Sequence, residues 1–397
     1  MNPSRSRRRP PSPPQVLAYA MAATVLGVLP VFLVGGLAVE IRRDVSFSAA
    51  DLGLVVATFF AVSALFSIPG GWISERVGPS GGIFVGALAG SICSIGMVTS
   101  ARSLLHMTLW MAIAGLGNGV TQPACNLALT RFVRPGRQGL AFGLKQSSAP
   151  TATLLAGLAV PVIALTAGWR FAYVGSAAAA MLLCLCVIIQ PLEVEQAAQR
   201  RQVRHKTSGQ RPLIYLAIAG GLAAGAGNSL AAFLVLSSVE AGASHAAAAM
   251  AFALGSACGI AARIVLGHVA DGRQKATLPT VVSMMVLGST GFGLLAVADS
   301  EWIRLIGTLL AFGAGWGWPG LFVLAIVRAY PHTPAAATGV TQTGVYLGCV
   351  LGPLGFGMLV NLASYQVAWI STAGTLLVSA AILSRFASSP RADSGEP

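Results

Sequence analysis

The 397-residue sequence predicts an all-α membrane protein, with twelve transmembrane helices in two pseudo-symmetric six-helix halves. Three observations carry this. Only 9% of the residues are charged and 55% are hydrophobic, whereas a soluble domain carries about 25% charged residues. Apolar runs of the length needed to cross a bilayer, about 20 residues, recur along nearly the whole chain. The second half also repeats the first at an ungapped offset of 196 residues.

In order along the chain, residues 1–16 read as a basic, flexible tail containing Arg5 to Arg9. The apolar run Leu17–Val39 is longer than the roughly 7–15 residues of a signal-peptide core, so it reads as the first transmembrane helix. Further spans near 52–74, 82–101, 104–130, 139–166 and 171–190 complete an N-terminal half over 17–192. Residues 193–212 form the one long polar stretch inside the chain and read as a linker, with Glu193, Glu195, Arg200, Arg201, Arg204, Lys206 and Arg211. Spans near 213–237, 246–270, 278–298, 303–327, 336–360 and 367–386 build the C-terminal half over 213–386, and 387–397 form a tail.

Basic residues set the orientation. The N-terminal tail, Arg76, Arg131, Arg134, Arg137, the linker, Arg273, Lys275, Arg328 and the C-terminal tail fall on one side. Arg42, Arg43, Arg102, Arg170 and Arg304 fall on the other. The positive-inside rule makes the first side cytoplasmic, with both termini there, in a cell inner membrane. An even number of spans requires the termini to share a side. The net charge of +13 is therefore a loop property and does not indicate nucleic-acid binding.

The repeat is specific. At the common offset Gly71 meets Gly267 and Glu75 meets Asp271. Gly117, Gly119 and Pro123 meet Gly313, Gly315 and Pro319; Pro135 meets Pro331; Ala141, Gly143 and Gln146 meet Ala337, Gly339 and Gln342. Matches of Gln, Pro and an acidic residue in one register indicate duplication of a six-helix unit, a transporter signature.

Two such halves around a basic central loop resemble the major facilitator superfamily. The stretch Gly71-Trp72-Ile73-Ser74-Glu75-Arg76-Val77-Gly78 resembles that family's G-x-L-x-D-R-x-G motif. Gly267-His268-Val269-Ala270-Asp271-Gly272-Arg273 is its second-half counterpart. The resemblance implies a charge latch joining the halves on the cytoplasmic side. It would hold Gly71, Glu75, Arg76, Gly78 and Arg131 (or Arg134) in one half, and Gly267, Asp271 and Arg328 in the other. Pro79 and Ser80 stand where the family commonly has basic residues, which weakens the first latch. The fifth span reads Lys145-Gln146-Ser147-Ser148-Ala149-Pro150, a poor match to the family's antiporter pattern, so antiport is not implied. The spacing Arg263-x-x-x-Gly267-x-x-x-Asp271 is similar to that in monocarboxylate and oxalate-type facilitators. There the matching arginine helps to hold the substrate carboxylate.

Every acidic residue lies in a loop, a tail or a helix end, whereas Lys145 and Arg263 lie within spans, about 10 Å deep by helical rise. A charge inside a span points to function by default, and a guanidinium offers a carboxylate a bidentate fork. The alternative is that both cations snorkel to the cytoplasmic surface. Asn118, Gln122 and Asn126 recur every four residues and form one helical stripe; they either line the path or bond neighbouring helices. Gln146 and Gln342 are symmetry mates, and Asn228 is a further candidate for the path. Trp318, with Trp316 and Phe322, forms an aromatic wall or a packing stripe. His106 reads as interfacial and His268 as part of the latch loop.

The six cysteines have no CxxC spacing, which indicates neither metal nor disulfides. The glycines around 115–119 and 313–317 follow no strand, and no P-loop, HExxH or GxSxG motif is present. The sequence implies no enzyme and no cofactor. The expected partners are the bilayer and a small-molecule substrate, with the protein a monomer. The leading expectation is secondary transport of a small organic anion such as a monocarboxylate, by proton symport or exchange with alternating access. The alternative is efflux of neutral or weakly acidic hydrophobic compounds.

Overall fold

The computed structural model describes residues 12–192, 210–272, 277–330 and 334–387. The tails, most of the linker, Arg273, Lys275 and Pro331 lie outside them, as does the Asp271 side chain. Among the described residues the chain is helical throughout, with no strand.

Ten segments are long and apolar enough to cross a membrane. One of them, Ala49–Ser100, has 52 residues and holds two crossings: it breaks at Gly78, where φ is +78° and ψ 170°. An L side chain rarely adopts that backbone, so glycine makes the corner. The twelfth crossing, Leu104–Phe132, is diluted by Asn118, Gln122 and Asn126. The crossings are therefore α1 (Pro13–Gly36), α2 (49–77), α3 (79–100), α4 (Leu104–Phe132), α5 (135–167) and α6 (Trp169–Ile189). The second half holds α7 (Gln210–Glu240), α8 (His245–Gly272), α9 (Thr277–Ala296), α10 (301–329), α11 (Pro334–Leu362) and α12 (Tyr365–Ala387). The first span starts four residues before the expected Leu17, since Pro13 and Pro14 suit a first helical turn.

In lipid, apolar side chains gain little by leaving the acyl chains, so small residues that let backbones touch decide the packing. A Cβ at Gly348 of α11 would fall onto the Gly221 carbonyl of α7, and one at Gly352 onto Gly225. Across the halves, Gly35 of α1 abuts Ala231 and Ala232 of α7, Gly53 of α2 abuts Pro353 of α11, and Gly157 of α5 abuts Ala249 and Ala253 of α8.

Two helices are broken where they matter. Pro150 interrupts α5, which pauses at Ser147 and continues from Ser148. α10 passes through a π-helical turn, Ala311–Gly315, and Trp316 leaves the helix (φ −122°, ψ 3°) before Pro319 restarts it. Such turns often mark functional sites.

At the end opposite the termini, polar side chains join the halves. Arg42 Nη1 donates to Glu240 Oε1 at 2.6 Å, and His245 Nδ1 bonds Glu40 Oε1 at 2.9 Å. Arg43 lies 3.5 Å from the same imidazole nitrogen. Deeper in, Ser256 donates to Thr153 at 2.8 Å and Arg263 to the Gln146 carbonyl at 2.6 Å. The molecule is thus fastened at the far end.

Candidate functional site

A cavity of about 170 Å³ lies between the halves. It is lined from the first half by Val28, Phe32, Phe60, Asn118, Gln122, Gln146 and Ala149. The second half contributes Ala224, Asn228, Arg263, the stretch around Trp316, Trp318 and Phe322, and Thr341, Gln342, Val345, Tyr346 and Cys349 of α11. A larger hollow of about 650 Å³ lies among α7, α11 and α12. Among the described residues its lining has no charged side chain and no residue of the first half. A path that switches by rocking one half against the other belongs to the first cavity.

Arg263 is the one cation among the described residues of this lining, which contains no carboxylate. Its Nη1 donates to the Gln146 carbonyl and its Nη2 to the Trp316 carbonyl, both at 2.6 Å. Both acceptors follow from the helix breaks. Gln146 would normally bond the amide four residues on, but that residue is Pro150, which has no N–H. Trp316 sits in the gap after the π turn. Arg263 therefore fastens α8 to a proline-freed carbonyl of the other half. Its guanidinium carbon also lies 5.6 Å from the Trp316 ring centre, within cation–π range.

Two donors of the lining are left over. Arg263 Nε and Trp318 Nε1 are buried with no hydrogen-bond partner. An unsatisfied buried donor costs about 1–3 kcal/mol, and two on one cavity mark a place prepared for acceptors. The aromatic wall is ordered: Phe32 meets Trp316 edge-on at 5.8 Å across the halves, and Trp318 meets Phe322 at 5.4 Å.

Of the residues singled out by sequence, Arg263, Asn118, Gln122, Gln146, Gln342, Asn228 and Trp318 come together here. Asn118 donates to Ser63 Oγ (3.1 Å) and accepts from Gln122 (3.2 Å). Asn228 donates to the Ala224 carbonyl and to Cys349 Sγ. The side-chain amides of Gln146 and Gln342 make no hydrogen bond among the described residues.

Lys145 and Asn126 do not join the lining. Lys145 is buried, 6% exposed, and its Nζ donates to Asn126 Oδ1 at 2.6 Å inside the first half. It neither faces the cavity nor snorkels, because the stripe's third amide captures it. Arg263 does not snorkel either, being held at the two carbonyls. Phe32, Phe60 and Tyr346 escaped sequence reasoning. Only Tyr346 carried a signal, its spacing of four from Gln342; the phenylalanines are indistinguishable from other apolar helix residues.

The expected latch is not formed in its first half. Glu75, Arg76 and Arg131 are all exposed and make no ion pair among the described residues. Gly71 and Gly267 have open space where a Cβ would stand, and Gly78 makes the corner. Arg328 donates to Thr277 Oγ1 at 2.7 Å; the Asp271 side chain lies outside the described residues.

Twelve helices in two halves around a shared cavity are matched by the sequence model of the Major Facilitator Superfamily over residues 15–353. The chain belongs to this superfamily. Its members are membrane transporters, not enzymes. A solved bacterial homologue of the human lysosomal transporter Spinster, inward-facing and occupied, superposes with a TM-score of 0.73 at 17% identity. The match covers 94% of this chain and 96% of that one, a likeness of fold. The mouse monocarboxylate transporter 11 is 28% identical over 341 residues, 83% of this chain and 71% of that protein. The hexuronate transporter of Bacillus subtilis is 25% identical over 159 residues, 40% of this chain and 37% of that protein. The chain spans about a third of the length of this and another curated transporter it matches.

Proposed function

We propose that this superfamily member carries a small organic anion, such as a monocarboxylate, through the central cavity by alternating access. The observation that supports it is Arg263: a half-buried cation on the cavity, held by carbonyls of both halves and balanced by no carboxylate among the described residues of the lining. A charged side chain at mid-bilayer costs about 2.5–3.5 kcal/mol on insertion scales, and an anionic substrate offsets that cost. Because Arg263 also fastens α8 to α5, an anion that takes its donors loosens the contact between the halves. That gives the ligand a differential effect on two states, as coupling requires. The protein works as a monomer in a cell inner membrane with both termini cytoplasmic, and a proton gradient is the candidate energy source. The apolar, aromatic part of the lining favours a second reading, efflux of neutral or weakly acidic hydrophobic compounds.

The test is counterflow in proteoliposomes with a panel of labelled monocarboxylates and neutral analogues, with and without a pH gradient. Exchange of a carboxylate by the wild type and its loss in Arg263→Ala is the expected result. Exchange confined to neutral solutes would replace the anion reading with the efflux reading.

A further inference from the structure

The cavity's charge, size and unsatisfied donors narrow the substrate beyond "organic anion", an inference that rests on the reading above. We infer that the site selects a compact aromatic monocarboxylate of about the size of benzoate.

Lys145 is bonded to Asn126 outside the lining, which leaves Arg263 as the single cation among the described residues of the lining. One guanidinium neutralises one carboxylate; a second would be buried without a partner, which is costly. A dianion is therefore disfavoured.

The remaining donors fix how the carboxylate is held. A guanidinium has five N–H donors, and two of them donate to the carbonyls of Gln146 and Trp316. The rest, Nε–H among them, are available to a carboxylate, and Trp318 Nε1–H is a second buried donor without an acceptor. An acceptor-rich head group satisfies both, and an amide or alcohol does so less well because it carries no charge.

The cavity's size fixes the body of the ligand. An engineered apolar cavity of about 150 Å³ takes up benzene, and this one measures about 170 Å³. Phe32 and Phe60 of one half and Trp316 and Phe322 of the other bound it. Ring edges and faces arranged this way favour a flat ring over an aliphatic chain, through edge-to-face contact.

The experiment is calorimetric titration of the full-length protein in lipid nanodiscs with benzoate, acetate, phthalate and benzamide. Benzoate is expected to bind at least about tenfold more tightly than acetate or phthalate, with benzamide weaker still, and Trp318→Phe to weaken benzoate by about tenfold, the loss of one charge-assisted hydrogen bond. Acetate binding as tightly as benzoate overturns the aromatic selection, and phthalate binding more tightly overturns the single-charge argument; in both cases anion transport stands. Benzamide matching benzoate, or no anion binding at all, overturns the anion reading itself. The ligand series needs no variant, so a poorly folded Trp318→Phe leaves it decisive.

Discussion

The two cations within the spans differ in what surrounds them, and that difference decides what each can do. Arg263 touches the cavity and both halves, while Lys145 is held by Asn126 within one half. Lys145→Met is therefore expected to change the transport KM by less than about threefold. Arg263→Lys should raise it by tenfold or more, since an ammonium cannot reproduce a planar fork. Equal effects in an uptake assay would place the lysine on the path after all. A different residue governs acid sensitivity. The indole N–H of Trp169 and then the guanidinium of Arg170 hold the Asp44 carboxyl below its ordinary range, at the end opposite the termini. A carboxylate with a lowered folded value stabilises the fold above its unfolded value, and the effect is lost as pH falls through the folded one. Asp44→Asn should accordingly lower the melting temperature at neutral pH, and the gap to wild type should close in strong acid. A gap independent of pH would contradict this.

At the scale of the helix, proline and glycine placement explains most of the geometry. Pro150 frees the Gln146 carbonyl for Arg263, so Pro150→Ala restores a competing amide. The expected result is a larger population open at the far end, read by cysteine accessibility at Ser238→Cys, a buried position near that end of α7; unchanged accessibility would show that the freed carbonyl does not govern the contact. Gly348→Leu drives a side chain into the α7 backbone at Gly221. It should cost about 1–3 kcal/mol, the usual range for overpacking, and lower thermal stability in detergent, whereas Gly374→Leu, with open space at its Cβ, should not. The helix count, the repeat and the cavity-lining amides were legible because a span, a duplication and a polar stripe each leave a periodic trace. The π turn at Ala311–Gly315 and the carbonyls bound by Arg263 were not, because backbone acceptors have no side-chain signature. The corner at Gly78 was legible only as a motif glycine, since nothing in the sequence gives its φ.

For the molecule as a whole, the contacts between halves define the state. The far end is closed by Arg42 with Glu240 and by Glu40 with His245, while Glu75 and Arg131 at the termini end stand apart. Exposed ion pairs contribute about 0–1 kcal/mol each. Glu240→Gln should thus shift the balance toward far-end opening by no more than about fivefold, measurable as a change in spin-label distances between the halves. On the proposed reading one guanidinium serves two tasks: it holds α8 to α5 when the cavity is empty, and it meets the substrate when the cavity fills. The most direct test of that account is substrate-induced current on a solid-supported membrane, comparing wild type, Arg263→Gln and Lys145→Met with one transported carboxylate. The account predicts a saturable current in wild type, a retained current in Lys145→Met and none in Arg263→Gln that is nonetheless folded and inserted. A wild-type current with unchanged KM in Arg263→Gln would contradict it.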